Sequence, residues 1–217
     1  MKKMRMNKSH NQQWRRRKLL FGVMGAGALV VCGSARAALT LTTKQAEGPF
    51  YPRDRDRFDD VDNDLVKVGE SLRNAGGEIL HLSGVVMTTA AEPIPGVRVE
   101  IWQCDVNGRY IHHRDRDDDN DLDFQGFGYA VTDSGGRYRF RTIRPVPYTG
   151  RTPHIHVKVM DPRGTALLTT QMYVAAEPGN EQDGLYTSMS VAQKRSVTVE
   201  LGKNDSGEFT AEFPIVV

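Results

Sequence analysis

The chain has 217 residues, 39% hydrophobic and 26% charged, a globular composition with room for one domain of sandwich or barrel size. The formal net charge of +2 is unevenly distributed, because the first 37 residues hold nine Lys or Arg and no acidic residue. The rest therefore has 29 − 9 = 20 basic residues against 27 acidic ones, a net charge of −7. This acidity excludes the basic surface of a nucleic-acid-binding protein, and no later apolar run reaches the ~18 residues of a membrane span.

Residues 1–37 are predicted to be a signal for export. The Arg16–Leu20 segment (RRKLL) resembles a twin-arginine signal, and the apolar run after it is too short to span a bilayer comfortably. The segment Ser34–Ala37 has the small-x-small pattern of a cleavage site. We expect a bacterial periplasmic domain, residues 38–217, that is exported already folded. An ordinary secretory signal and lipid attachment at Cys32 are the alternatives.

From Glu78 onward, short runs rich in β-branched residues alternate with Gly, Pro, Asn and Asp, a pattern that predicts an all-β fold. We expect an antiparallel β-sandwich with long connecting loops. One helical turn is expected around Gly184–Lys194. The eight expected strands are Ile79–Thr88, Val97–Gln103, Gly126–Thr132, Arg137–Thr142, His154–Asp161, Ala166–Tyr173, Ser196–Leu201 and Phe209–Pro214.

Two long segments lack a regular pattern. Glu47–Gly77 is predicted to be an N-terminal arm that wraps the sandwich. The loop His112–Phe124 contains six Asp residues but lacks the central Gly and terminal Glu of an EF-hand, so we expect a solvated acidic loop. Cys104, the one cysteine after the signal, is expected to be buried in a strand and excludes an intramolecular disulfide.

Four side chains form a candidate metal-binding set. His154 and His156 are two residues apart in an expected strand, where they share one face and can bind one ion. Such a pair alone is more often a surface or core feature. Tyr148 lies on the turn just upstream, and Tyr110 follows a turn at the end of another strand, where loops gather. Two phenols and two imidazoles therefore make a possible four-ligand site.

This ligand set has specific chemistry. A phenol with a free pKa near 10 is a poor ligand at neutral pH unless a strong Lewis acid holds it as phenolate. Hard anionic oxygen ligands favour ferric iron over zinc or copper(I). Four protein ligands leave at least one position for hydroxide or substrate. The implied cofactor is one non-haem Fe(III) ion.

The sequence resembles the intradiol ring-cleavage dioxygenases, the family of catechol and protocatechuate 3,4-dioxygenases, from about Thr43 to Tyr173. The segments that carry the resemblance are Gln45–Tyr51, Val99–Gln103, Asn107–Tyr110, Phe127–Gly128, Thr132–Asp133, Arg151–His156 and Thr170–Tyr173. The resemblance implies a β-sandwich that holds one ferric ion. It also implies the reaction: both atoms of O2 enter a catechol, and the ring opens between its hydroxyl-bearing carbons to a cis,cis-muconate-type diacid.

Residue by residue, the resemblance implies that Tyr110 and His156 are equatorial iron ligands and that Tyr148 and His154 are axial ones. The incoming catechol dianion would displace Tyr148, whose phenolate can accept a catechol proton.

Two further residues have implied roles. Arg151 would stabilise the negative charge that develops on the ring, and Gln171 would lie near the oxygenated intermediate. Only Thr149 and Gly150 separate Tyr148 from Arg151, where the cytoplasmic members carry a longer insertion. We therefore expect an open pocket that accepts substituted catechols.

Two other functions remain open at this point. A non-catalytic exported β-sandwich binding module would need no metal. A zinc hydrolase built on His154 and His156 would leave both tyrosines without a role and lacks an obvious carboxylate base beside the pair. The expected partners are a catechol-type substrate and O2, with no nucleic acid and no membrane after signal removal, and self-association is left open.

Overall fold

The computed structural model describes residues 38–217, so the export signal predicted for residues 1–37 lies outside the described residues. The predicted sandwich is confirmed, because two five-stranded sheets enclose one hydrophobic core. The strands are β1 Ile79–Met87, β2 Arg98–Trp102, β3 Phe127–Val131, β4 Arg137–Ile143, β5 His154–Met160, β6 Ala166–Val174, β7 Thr198–Val199, β8 Gly202–Lys203, β9 Phe209–Glu212 and β10 Ile215–Val216.

Both sheets are mixed: two of the four strand pairs in the first sheet and one of the four in the second are parallel. In the first sheet β1 pairs antiparallel with β4 and parallel with β9 and β10, and β8 pairs with β9. The second sheet has the order β3-β2-β5-β6-β7, with a single parallel pair between β6 and β7. The parallel pairs involve short C-terminal strands, whose partner and direction are not encoded in side-chain alternation.

The C-terminal segment differs most from the predicted elements. The expected strand Ser196–Leu201 is reduced to the two residues of β7, because Val191–Val197 forms helix α2 with Ser190 as its N-cap. Helix α1, Gly184–Thr187, lies in the region where a helical turn was predicted. The strands β8 and β10 were not predicted. No helix among residues 38–217 is long and apolar enough to cross a membrane.

The two-residue period of β5 separates the core from the other face of its sheet. Ile155, Val157 and Val159 are buried in the main core between the sheets, and each such side chain contributes roughly 1.5–3 kcal/mol of burial free energy. His154 and His156 therefore project from the outer face of the second sheet, yet both are also buried.

The predicted arm covers this outer face. Phe50 and Tyr51 pack in a second apolar cluster with Trp102 and Tyr110, and the Tyr51 hydroxyl donates a 2.7 Å hydrogen bond to the buried carboxylate of Glu100. Because the arm excludes water from the outer face, polar side chains there lie in an interior environment.

Candidate metal centre

His154 and His156 bring two imidazole nitrogens together at the start of β5. Their Nε2 atoms are 3.2 Å apart. Two ligands that each lie at ~2.1 Å from one ion cannot be more than about 4.2 Å apart, so this separation is compatible with a shared ion. The structure thus places both nitrogens as the sequence pattern requires.

The hydrogen bond at Nδ1 of His154 determines which ring nitrogen carries the proton. Its Nδ1–H donates a 2.7 Å hydrogen bond to the carbonyl oxygen of Thr152, which leaves the Nε2 lone pair free for a metal. Burial, followed by the nearby charge of Arg151, lowers the His154 pKa to about 4. The imidazole is therefore neutral at pH 7, the form that binds metal ions.

His156 is enclosed on several sides. Its ring stacks on Trp102 with centroids 4.8 Å apart, and Gly48 lies so close that a Cβ there would be 3.3 Å from the His156 Cε1 atom. Burial, and then the neighbouring His154, lowers the His156 pKa well below its ordinary value. Its Nδ1 has no hydrogen-bond partner among the described residues.

Two side chains hold Tyr110 in place through hydrogen bonds to its backbone. The Asp115 carboxylate accepts a 2.8 Å hydrogen bond from the Tyr110 N–H, and the Asn120 amide donates to the Tyr110 carbonyl at 3.2 Å. Phe50 stacks on the phenol ring with centroids 4.9 Å apart. At least one carboxylate of the predicted solvated loop thus has a structural role at the site.

The Tyr110 phenol oxygen is buried and makes no hydrogen bond of standard geometry within residues 38–217, and the Tyr148 ring lies beside it. Burial raises the pKa of this phenol well above its ordinary value. A buried hydroxyl without a partner costs about 1–3 kcal/mol, and a cation that binds the phenolate would remove this penalty. This buried oxygen is the strongest single indication that the cluster fits a metal ion.

Tyr148 completes the cluster. Its ring centroid lies 5.4 Å from that of Tyr110 and 5.5 Å from that of His154, while Tyr110 lies 6.0 Å from His156. Burial raises the Tyr148 pKa, and the positive charge of Arg151 opposes this shift. The four predicted ligands thus lie in one cluster of neighbouring rings, and their role as iron ligands stays a prediction.

Arg151 and Gln171 lie beside this cluster. Within the second sheet, Gln171 on β6 is directly opposite His156 on β5. The Nη2 group of Arg151 donates to the Gln171 side-chain oxygen at 2.5 Å, and its Nη1 group donates to the Tyr148 hydroxyl at 3.4 Å. The structure therefore brings both predicted catalytic side chains to the four-residue cluster.

Two residues of this network were missed by sequence reasoning. The Tyr173 hydroxyl accepts a hydrogen bond from Arg151 at 3.2 Å and donates one to Gln171 at 3.0 Å. The Asp183 carboxylate accepts from Arg151 Nε at 2.8 Å. The sequence around Asp183 indicates a helix cap, but it does not indicate the contact between Asp183 and Arg151.

A second group of potential ligands lies nearby. Ligand atoms of Asp56, His112 and His113 lie within 4.8 Å of one another and could hold a metal ion. However, His112 Nδ1 accepts the backbone N–H of Arg114 at 3.2 Å, so Nε2 of the neutral ring carries the proton. The Arg55 guanidinium also lies 3.2 Å from His113 Nε2. These contacts make the group a poorer cation site than the tyrosine–histidine cluster.

The donor set of the cluster fits ferric iron. Its two neutral imidazoles are ready ligands, and its phenols ionise only beside a strong Lewis acid. The unpartnered oxygen of Tyr110 supports this assignment, since a phenol kept only for packing would normally find a hydrogen-bond partner when buried.

Two cavities flank Tyr148. One of about 660 Å³ has Phe50, Arg109 and Tyr148 among its lining residues, and one of about 420 Å³ has Tyr148, Arg151 and Asp183. The chain between Tyr148 and Arg151 is a tight turn, closed by a 2.9 Å backbone hydrogen bond, with Gly150 at φ +78°. Both cavities are open to solvent, and the short turn lies between them.

Comparisons with known proteins agree on the family. Residues 46–215 match the family model described as Dioxygenase. The protocatechuate 3,4-dioxygenase beta chain of Burkholderia cepacia is 32% identical over 169 residues, 73% of this chain and 70% of that one. A hydroxyquinol 1,2-dioxygenase of Corynebacterium glutamicum is 28% identical, over 74% of this chain and 55% of its own length. The match thus spans only about half of that second relative.

Solved structures share the fold. The dioxygenase domain of a dioxygenase and carbohydrate-binding protein fusion from the cellulolytic bacterium Streptomyces sp. SirexAA-E has a TM-score of 0.62 and 29% identity, over 82% of this chain and 98% of that one. An intradiol ring-cleavage dioxygenase from Tetranychus urticae has a TM-score of 0.65 and 21% identity, over 82% and 94%. With most of its described residues matched by the family model, the chain belongs to the intradiol ring-cleavage dioxygenase family.

Proposed function

We propose that this chain is an Fe(III)-dependent dioxygenase that inserts both atoms of O2 into a catechol-type diol. The ring would open between the two hydroxyl-bearing carbons and give a cis,cis-muconate-type diacid. The observation that carries the proposal is the convergence of two buried imidazoles and two phenols beside a fixed guanidinium. Family membership and the 32% identity to a protocatechuate 3,4-dioxygenase chain support the same reaction class.

Each side chain has a distinct task in this proposal. His154 and His156, as neutral imidazoles, and Tyr110 and Tyr148, as phenolates, would hold the ion. When bound, Fe(III) supplies the Lewis acidity that ionises the catechol and activates its ring toward O2. Tyr148 is the less buried of the two phenols, so as a phenolate it could leave the ion, swing toward solvent and take a catechol proton on its oxygen to become a neutral phenol.

The neighbouring groups stabilise charge. The guanidinium of Arg151 faces the cluster through Nη1 and Nη2, where it can bind negative charge that develops on the ring. Gln171 is hydrogen-bonded by Arg151 and Tyr173, so its amide is fixed before substrate arrives. The apolar rings of Phe50 and Trp102 exclude bulk water from the ligand atoms.

Oxygen uptake with a panel of diphenols tests the activity. Protein loaded with one ferric ion should consume one O2 per catechol and form the muconate-type diacid, and metal-free protein should consume none. Because both cavities beside Tyr148 are open, a bulky alkylcatechol should also react, within about tenfold of catechol in kcat/KM. Turnover of protocatechuate alone would contradict the open pocket. If the iron-loaded protein consumed no O2 with any diphenol, the proposed activity would be wrong.

A further inference from the structure

Asp183 is a buried carboxylate that the proposed mechanism does not use. Its side chain is completely inaccessible to solvent, and both of its oxygens accept hydrogen bonds. The Oδ1 atom accepts the backbone N–H groups of Leu185 and Tyr186 at 2.9 and 3.1 Å. The Oδ2 atom accepts Arg151 Nε at 2.8 Å and the backbone N–H of Thr152 at 3.1 Å.

The two carboxylate oxygens of Asp183 thus have different roles. The first one caps helix α1, a task that a neutral Asn performs equally well. The second one binds a cation and the adjacent backbone amide, so it fixes both the side chain and the main chain of the segment that leads into His154. Only this second task requires a carboxylate.

The contact at Nε decides which way the guanidinium points. With Nε held by Asp183, the planar group of Arg151 directs Nη1 toward Tyr148 and Nη2 toward Gln171 and Tyr173. A flexible arginine would have to be ordered in each catalytic cycle, whereas a tethered one is already in place. The burial of Asp183 also keeps this ion pair from being screened by water.

We infer that Asp183 is a positioning residue, which orients the Arg151 guanidinium so that its terminal N–H groups face the bound catechol. The inference rests on the proposed dioxygenase function. It also assigns a role to the segment that precedes α1, more than thirty residues after Arg151 in the sequence.

The test compares iron-loaded wild type with Asp183→Asn, which retains the helix cap but loses the charge. We expect kcat for catechol to fall about 10- to 100-fold while KM changes less than about threefold, because the lost interaction orients a group that acts on developing charge. Asp183→Glu keeps the charge at a shifted position and should recover part of kcat. If Asp183→Asn fails to fold, Asp183→Glu is the test variant. Wild-type kcat in Asp183→Glu would then contradict the inference.

Two matched controls separate orientation from general structure. Ser190→Ala removes the cap of α2, and Asp161→Asn removes the carboxylate that closes an exposed turn. Both should retain wild-type kcat even where they lower the unfolding temperature. A loss of kcat in either control equal to that in Asp183→Asn would overturn the inference, since a remote structural change would then suffice.

A double-mutant cycle completes the test. In an Arg151→Ala background no guanidinium remains to be oriented, so Asp183→Asn should change kcat by less than about twofold. Full additivity, or a single Asp183→Asn variant with wild-type kcat, would contradict the role of Asp183. A wild type that turned over no catechol would instead overturn the proposed function itself, so the two failures are distinguishable.

Discussion

At the scale of single residues, the burial of His154 has a consequence that is measurable in the metal-free protein. Its pKa is lowered to about 4, by burial first and by Arg151 second, whereas in the unfolded chain it is near the ordinary value of 6.5. The unfolded state therefore takes up the proton first as pH falls. Stability should decline from about pH 6.5 and level off near pH 4, by roughly 3 kcal/mol for this residue.

Urea unfolding of the metal-free protein at pH 7 and pH 5 measures this effect. We expect His154→Asn to lose less stability between the two pH values than wild type, because the variant has no imidazole to protonate. Ser190→Ala, which removes the cap of α2 but no ionisable group, is the control and should retain the wild-type difference. An unchanged difference in His154→Asn would show that the imidazole is not held neutral by burial.

Residue types and spacing were sufficient to indicate the four ligand candidates, and the family resemblance was needed to add Arg151 and Gln171. They were not sufficient for Asp183 and Tyr173, because these side chains reach the site only through the tertiary fold. Tyr173 ends the Thr170–Tyr173 segment that carries the resemblance, but that segment assigned no role to its hydroxyl, and the local pattern at Asp183 indicates only a helix cap. The hydrogen bonds that join them to Arg151 are formed between segments distant in sequence.

At the scale of elements, Gly48 links the arm to the metal centre. It adopts φ +81°, and a Cβ at this position would lie 3.3 Å from His156 Cε1. Gly48→Ala should therefore combine backbone strain of about 1–2 kcal/mol with displacement of a ligand ring. We expect about 10-fold weaker iron binding, measured by competition with a chelator, as is typical when groups that orient a ligand are altered.

Gly164→Ala is the matched control for this change. Gly164 has φ +85°, and a Cβ there would meet nothing within 4 Å, so alanine adds the same strain without touching the site. It should lower stability to a similar degree and leave iron affinity unchanged. Equal iron affinity in the two variants would show that the arm does not position His156.

Side-chain alternation predicted most strands and the face on which each residue lies, as β5 shows. It failed at Ser196–Leu201, where Val197, Val199 and Leu201 alternate as in a strand. The competing signal was the capping box formed by Ser190 and Gln193, which begins a helix through Val197. The parallel direction of β9 and β10 also escaped prediction, because it depends on how the C-terminal segment returns to β1.

At the scale of the whole molecule, the site exists because the arm turns an outer sheet face into an interior one. Composition and strand spacing predicted the sandwich, and the irregular Glu47–Gly77 segment predicted the arm. Neither indicated that Glu100 would be buried on that face, paired with Arg98 at 2.9 Å and hydrogen-bonded by Tyr51. A charged residue in a predicted strand suggests an exposed position. The burial of Glu100 becomes apparent only when the arm is seen packed on the sheet.

The central claim is that two phenolate oxygens and two imidazole nitrogens of this chain bind one ferric ion. The visible absorption spectrum of protein loaded with one Fe(III) per chain tests it most directly, because iron-bound phenolate gives a red to burgundy charge-transfer band. We predict this band in the wild type, a weaker band in Tyr110→Phe, and none in the double variant Tyr110→Phe with Tyr148→Phe. Tyr138→Phe should leave the band unchanged, since this buried hydroxyl donates to the Phe213 carbonyl away from the site. A colourless iron-loaded wild type, or a band that survives in the double variant, would contradict the account.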